Sequence, residues 1–139
     1  MSDSGLAHWQ GWGITVLRVV VGVVFLVHGG QKLFVFGLGG VAGFMGQAGF
    51  PAPMLAAVVL TAVESLGGLA LLLGLFTRWA AIPLAIVMLV AILAVHLKAG
   101  FFLPDGYEFA LTLLGANVAL ALLGSGEASV DGVLERRRA

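Results

Sequence analysis

An acidic residue, Glu64, lies near the middle of an otherwise apolar run from Met54 to Phe76. At ~1.5 Å per residue, a helix over this run is about 35 Å long, which is enough to cross a hydrocarbon layer ~30 Å thick. A charged carboxylate near the bilayer midplane costs at least ~2.5–3.5 kcal/mol unless it is paired or protonated. Glu64 is therefore a candidate for proton relay or ligand binding.

A basic stripe in the preceding apolar run supplies partners for this carboxylate. His28 lies at the edge of the stripe, whereas Gln31 is expected to point elsewhere. We predict that the Glu64 face turns toward the stripe, where a pair with Arg18 or His28 would compensate the charge. The glycines of the stripe would let another backbone or a flat ligand approach closely. Helical spacing places on this face Arg18, Gly22, Phe25, Gly29 and Lys32.

Two interpretations of this network stay open at the level of the sequence. Buried ion pairs often only hold helices in register, and glycines often only permit close packing. Ionisable residues inside a membrane are otherwise candidates for function. His96, at the end of the third apolar run, is expected at a depth similar to that of His28. The two histidines could ligate a haem, or they could be interfacial residues with satisfied hydrogen bonds.

The composition is that of an integral membrane protein. Of the 139 residues, 60% are hydrophobic and only 10% are charged, and the mean hydropathy is +1.10. A soluble domain has about 25% charged residues. The formal net charge is zero, so we expect no nucleic-acid partner. The sequence has no cysteine, which excludes thiol–disulfide chemistry and iron–sulfur ligation by this chain, and we expect no metal site.

Four apolar runs predict an all-α fold, an integral membrane four-helix bundle that forms a single domain over residues 1–139. Their length and all-round hydrophobicity are typical of membrane helices rather than of barrel strands. We predict helices over about 14–36, 54–76, 79–97 and 107–123, followed by a polar tail over 124–139. The glycine-rich link Gly37–Pro53 is expected to lie at the membrane interface or to fold back onto the bundle.

Arginines at the end of the sequence predict the orientation in the membrane. The positive-inside rule places the triplet Arg136–Arg138 in the cytoplasm. With four spans, the N-terminus and Arg78 then lie on the same side. The residues expected on the opposite side are Lys32, Gln47, Lys98, Asp105 and Glu108.

Several motifs together resemble the DoxX family of small bacterial membrane proteins. They are LRVVVGVVFLVHGGQKLFVFG in the first run, Glu64 followed by Gly67-Gly68, GLFTR at 74–78 and GSGEASVD at 124–131. The resemblance covers about Gly13 to Leu134 and implies a four-helix bundle in the bacterial cytoplasmic (inner) membrane. Gly124-Ser125-Gly126 stands where the family often has Gly-Pro-Gly. The matching motif positions are Arg18, His28, Gln31, Lys32, Glu64, Arg78 and His96.

The resemblance and the polar stripe support two alternative functions. Family members are linked to membrane oxidoreductase assemblies, so this chain could be a subunit of a redox-associated complex that binds a quinone-like ligand. His28, Gln31 and Lys32 would then donate hydrogen bonds to the quinone, while Glu64 and Arg18 would relay protons. Because the chain has no flavin or metal motif, a membrane or membrane-associated partner subunit would carry the electron-transfer centre.

The alternative is a non-catalytic membrane anchor, assembly factor or accessory subunit of a larger complex. Exposed apolar helices would then supply the docking surface. An oligomer is compatible with either function, and the sequence leaves open whether the chain is catalytic. His96 is a further candidate for ligand binding or proton relay in the first case.

Overall fold

The computed structural model describes residues 3–138, and this part of the chain contains six α-helices and no strand. The all-α membrane fold expected from the sequence is therefore confirmed. A π-helical turn, Lys32–Phe36, joins α1 to α2, and another, Ile92–His96, follows α4 and leads into a short 3₁₀ turn, Leu97–Ala99. The helices are α1 Asp3–Gln31, α2 Gly37–Gln47, α3 Pro53–Leu73, α4 Thr77–Ala91, α5 Glu108–Leu123 and α6 Val130–Arg138.

Four of these helices form the bundle. Helix α1 packs along α3, α3 contacts α4, α4 packs along α5, and α5 returns to contact α1. Three stretches are long and apolar enough to cross a membrane, namely 4–47, Pro53–Leu73 and Thr77–Ala99. Helix α5 is apolar but has only 16 residues. Its length of about 24 Å is shorter than a typical hydrocarbon layer.

The first two membrane helices have different bounds from those expected. Helix α1 begins at Asp3 rather than near residue 14, because its first turns pack against the chain that follows α5, where the Glu127 amide donates to the carbonyl of Gly11. Helix α3 ends at Leu73 rather than at 76. Gly74 adopts φ +69°, and the amides of Gly74 and Leu75 return to the last turn, which is the hydrogen-bond pattern of a glycine-terminated helix.

The link Gly37–Pro53 folds back onto the bundle, as expected, but most of it is helical. It turns at Gly37, which has φ +68°, and continues as α2. Val41 and Met45 are buried against Ala57 of α3. Glycine disfavours helices in water, but in an apolar medium a helix satisfies the backbone polar groups internally. That difference explains how so glycine-rich a link forms a helix here.

Helices α1 and α3 are antiparallel and touch through their backbones. A Cβ atom added at Gly22 would lie 2.7 Å from the amide nitrogen of Leu72, and one added at Gly68 would lie 2.5 Å from that of Leu26. A Cβ at Gly29 would lie 2.7 Å from the amide nitrogen of Ser65. Contacts this short involve backbone atoms that cannot move aside. The glycines therefore fix how α1 lies along α3.

We expect Gly68→Ala to force α1 and α3 apart and to lower the free energy of unfolding by about 1–3 kcal/mol, the usual effect of overpacking. Thermal unfolding of the purified protein in detergent measures this. Gly115→Ala is the matched control, since a Cβ there meets nothing within 4 Å. That control should leave stability unchanged or raise it by up to ~1 kcal/mol through helix propensity. Equal stability of the two variants would refute backbone contact at Gly68.

Candidate functional site

The buried carboxylate of Glu64 is paired with a lysine. The Nζ atom of Lys32 donates to Oε2 of Glu64 at 2.6 Å, and the two side chains are 18% and 6% exposed. Lys32 is the first residue of the π-helical turn after α1, and Glu64 lies on the face of α3 that turns toward α1. The basic stripe of the first run thus meets the acid of the second.

The predicted pairing of Glu64 with Arg18 or His28 was wrong. In the antiparallel register, Gly29 of α1 lies beside Ser65 of α3. Along the bundle axis, Glu64 is therefore less than one helical turn from Lys32. Arg18 is 14 residues before Lys32, or about 21 Å away along the helix. Arg18 therefore lies at the other end of the bundle and cannot reach Glu64.

The Lys32–Glu64 pair forms part of the wall of a cavity of ≈ 850 Å³ between the bundle helices. Walls come from α1, α2, α3, α4 and α5 and from the loop before α5. Most of the lining is apolar, with side chains such as Phe25, Leu60 and Met88. Five of the six site residues expected from the sequence line this cavity, and they are its ionisable and amide side chains. They are His28, Gln31, Lys32, Glu64 and His96.

The two cavity histidines have different surroundings. The ring of His28 lies 6.3 Å from the ring of Phe109 on α5, so it bridges α1 and α5. Nδ1 of His96 donates to the carbonyl oxygen of Asp105 at 2.8 Å and ties the end of the α4 segment to the loop before α5. Both rings lie at the same end of the bundle, as their expected depth indicated. Within the described residues, no group of three or more His, Asp or Glu side chains could hold a metal ion.

Gln31 lines the cavity, contrary to the expectation that it points elsewhere. It follows His28 by three residues, so the two side chains share one side of α1. Together with Lys32 they place three groups that can donate hydrogen bonds on one wall. Two hydroxyls near Glu64, those of Thr61 and Ser65, are buried and have no hydrogen-bond partner within the described residues.

Arg18 serves a different purpose, at the end of the bundle where the first turns of α1 meet the chain before α6. Its guanidinium, 1% exposed, donates only to backbone carbonyls in the hydrogen bonds described. Nε donates to Ser125 at 2.9 Å and Nη2 to Ala128 at 2.5 Å, while Nη1 donates to Leu71 and, at 3.0 Å, to Leu72. The last carbonyls of α3 would otherwise have no partner within their helix. Arg18 thus caps α3 and holds the chain after α5.

Two more charged residues join helix ends at the same place. Arg78 donates to the Leu122 carbonyl at 2.7 Å, in the last turn of α5. The carboxylate of Asp131 accepts from the amides of Phe76 and Thr77 at 2.8 and 3.1 Å, where α4 begins. A carboxylate at a helix start and guanidinium groups at helix ends each complement the helix dipole. We call Arg18, Arg78 and Asp131 the terminal clamp.

The sequence did not reveal the apolar part of the cavity. Phe109, Met45 and Leu113 line it, but an apolar side chain in a membrane helix gives no signal that distinguishes a cavity wall from packed core or lipid contact. The sequence signals for the terminal clamp were the motifs GLFTR and GSGEASVD. Both motifs contributed to the family resemblance, but the sequence did not show that Asp131 of the second motif accepts hydrogen bonds from Phe76 and Thr77 of the first.

The fold and the site define a class: an α-helical membrane bundle with a mostly apolar cavity between its helices and a largely buried Lys–Glu pair in the cavity wall. The chain belongs to the DoxX family, which it matches over residues 13–97. It is 38% identical over 119 residues to a Bacillus subtilis protein named "Putative oxidoreductase CatD", with 86% of this chain and 84% of that protein covered.

Two Escherichia coli proteins are also similar. Inner membrane protein YqjF is 30% identical over 131 residues, covering 90% of this chain and 94% of that protein. Inner membrane protein YphA is 28% identical over 128 residues, covering 85% and 87%. No solved structure matches the chain. The apolar helices and these inner membrane relatives identify a bacterial membrane protein that resides in the lipid bilayer.

We expect Arg18→Gln to destabilise the terminal clamp without changing the cavity. A hydrogen bond to a charged group contributes about 1.5–3 kcal/mol, and the variant loses several of them. The melting temperature should fall, and limited proteolysis should cut the chain after Leu123 sooner than in the wild type. Arg138→Gln is the control, because Arg138 is exposed in α6. A clamp that contributes nothing would leave both variants indistinguishable from the wild type.

Proposed function

We propose that this DoxX protein binds a quinone-like ligand in the cavity and serves as the membrane subunit of a redox-associated complex. The observation that carries the proposal is the Lys32–Glu64 pair in the wall of an otherwise apolar cavity of ≈ 850 Å³. Ligand cavities usually measure about 300–1,000 Å³ and combine apolar walls with a few polar groups that orient the ligand.

The arrangement of donors matches the chemistry of a quinone. A quinone presents two carbonyl acceptors on a flat ring and an apolar substituent. The ammonium of Lys32 has three protons, of which the contact with Glu64 uses one. Gln31 and His28 are further donors on the same wall. The aromatic and aliphatic walls would hold the ring and the start of the tail.

Glu64 provides the titratable group that quinone reduction needs. Conversion of a quinone to a hydroquinone takes up two electrons and two protons. Glu64 can pass protons to the ligand, with Lys32 compensating the carboxylate between transfers. The electrons would come from a redox centre on a partner subunit, since the sequence has no flavin or metal motif. The likeness to a Bacillus protein with oxidoreductase in its name supports a redox context.

We expect Lys32→Met to weaken quinone binding at least tenfold, equivalent to ~1.4 kcal/mol, because the variant loses a charged donor. Titration of the purified protein with decyl-ubiquinone and with a short-chain menaquinone measures the Kd. Solvent extraction of the wild-type protein should also release quinone. Lys98→Met is the control, since Lys98 is an exposed cation that does not line the cavity. Failure of the wild type to bind or release any quinone would refute the proposal.

The double variant Lys32→Met with Glu64→Gln separates ligand binding from helix packing. Lys32→Met alone leaves a buried carboxylate unpaired, a loss of about 3–5 kcal/mol in typical proteins. Removing both charges should restore much of that stability, whereas quinone binding should stay weak. A double variant that binds quinone as tightly as the wild type would show that the pair only holds α1 and α3 together.

A non-catalytic accessory role is the alternative, and exposed aromatic side chains favour it. Phe34 in the first π-helical turn and Phe102 in the loop before α5 are 87% and 78% exposed. Such side chains could contact a partner helix as readily as lipid. In this case Glu64→Gln would change the yield of a complex co-purified in mild detergent and leave its turnover unchanged.

We further propose that both termini face the cytoplasm, as the basic C-terminal helix indicates. Since the chain lacks cysteine, single cysteines report orientation directly. In spheroplasts, a membrane-impermeant maleimide should modify Phe102→Cys at once and Glu135→Cys only after permeabilisation. Both positions are exposed, so they are matched in access. The reverse order of labelling would invert the proposed topology.

A further inference from the structure

The cavity has an apolar rim between α3 and α4. Val59 on α3 and Ile86 and Val90 on α4 line the cavity, and they are 51%, 56% and 40% exposed. Each also belongs to the outward-facing stripe of its helix, where lipid would lie. These three side chains therefore belong both to the cavity wall and to the surface of the bundle. Other members of the two stripes are Leu55 and Leu66 on α3, Ile82 on α4 and Leu93 in the π-helical turn that follows α4.

Helices α3 and α4 pack closely near the turn that joins them, and the rim lies farther from that turn. They are joined by a short turn, and they pack closely where Gly67 meets Leu84, since a Cβ at Gly67 would lie 3.0 Å from that side chain. Pro83 lies inside α4 at the same level. A proline removes one helical hydrogen bond and commonly bends a helix. Beyond this point the facing residues of α3 and α4 line the cavity.

Other exposed side chains also line the cavity: Phe36, Phe44 and Leu103 are 57%, 49% and 55% exposed, and Phe109 of α5 is 42% exposed. Backbone contact at Gly22, Gly29 and Gly68 seals α1 against α3. Between α1 and α5, the rings of His28 and Phe109 lie 6.3 Å apart. The boundary between α1 and α5 also has the polar side chains of His28 and Gln31, whereas the rim between α3 and α4 is formed by aliphatic side chains, those of Val59, Ile86 and Val90. An acyl or isoprenoid chain could pass such a rim without removing water from a polar group.

We infer that the cavity receives its ligand sideways from the bilayer, through the gap between α3 and α4. The ligand class is a membrane-dissolved amphiphile, with its polar head at the Lys32–Glu64 pair and its apolar chain between Val59 and Val90. The chemistry of the head rests on the proposed function, whereas the route rests on the position of the rim. A water-soluble substrate would gain nothing from an aliphatic passage.

A photoactivatable phospholipid tests the route without any quinone. The wild-type protein is placed in nanodiscs that contain a phospholipid with a diazirine in the middle of an acyl chain. After illumination, mass spectrometry locates the labelled residues. We expect labelling of Ala110 and Leu113, which line the cavity and are only 7% exposed, in addition to the outward stripes.

Val59→Trp should block the gap and reduce labelling of Ala110 and Leu113 about tenfold, which corresponds to ~1.4 kcal/mol of steric exclusion. Leu69→Trp is the matched control, because Leu69 is 42% exposed on the same helix and does not line the cavity. Labelling confined to the outward stripes in the wild type would overturn the inference. Equal labelling of α5 in the two tryptophan variants would overturn it too.

Titration with decyl-ubiquinone in the same nanodiscs separates this inference from the proposed function. Lipid labelling inside the cavity without quinone binding supports the lateral route and refutes the quinone. Quinone binding whose association rate is the same in Val59→Trp and the wild type supports the proposed function and refutes the route. A slower association in Val59→Trp, with the Leu69→Trp rate unchanged, supports both.

Discussion

Backbone contact between α1 and α3 is the interaction on which the rest of the structure depends. Because Gly22, Gly29 and Gly68 have no side chains, the two helices approach until their backbones touch. Their axial offset is then fixed, and this offset brings the ammonium of Lys32 to the carboxylate of Glu64 rather than leaving either charge in an apolar medium.

Buried charges are compensated in different ways at the two ends of the bundle. At the end with the terminal clamp, Arg18, Arg78 and Asp131 form hydrogen bonds with backbone groups at helix ends, so their charges hold helices together. At the cavity end, Lys32 and Glu64 bond to each other and border open space. Charges of the first kind stabilise one arrangement, whereas a charge pair beside a cavity can exchange its partner for a ligand.

Much of this organisation could be predicted from the sequence, for identifiable reasons. Long, predominantly apolar runs located the four bundle helices, and helical spacing placed Lys32 on the stripe that meets Glu64. The predicted partner was Arg18 or His28 instead of Lys32. Arg18 failed because composition and spacing within one helix contain no information on the axial offset between two helices. That offset depends on glycine contacts that are visible only in three dimensions.

The ends of elements were harder to predict than their cores. Glycine is flexible and disfavours helix, but backbone groups in an apolar medium must be hydrogen-bonded. The second effect prevails over the glycine-rich link, which forms α2 directly after the π-helical turn Lys32–Phe36. The cavity begins beyond the contact of Gly67 with Leu84, where residues of both α3 and α4 line it. Pro83 was a signal that could have been used, since it lies where α4 leaves the close contact at Gly67.

The short fifth helix has a consequence for the bilayer around it. At about 24 Å it is ~6 Å shorter than a typical hydrocarbon layer, so neighbouring lipids must compress or the loop before it must lie below the headgroups. Either adjustment thins the membrane locally beside α5, which contributes Phe109 and Leu113 to the cavity wall. The Lys32–Glu64 pair in the same cavity therefore lies under a thinner hydrocarbon layer than four full-length spans would provide.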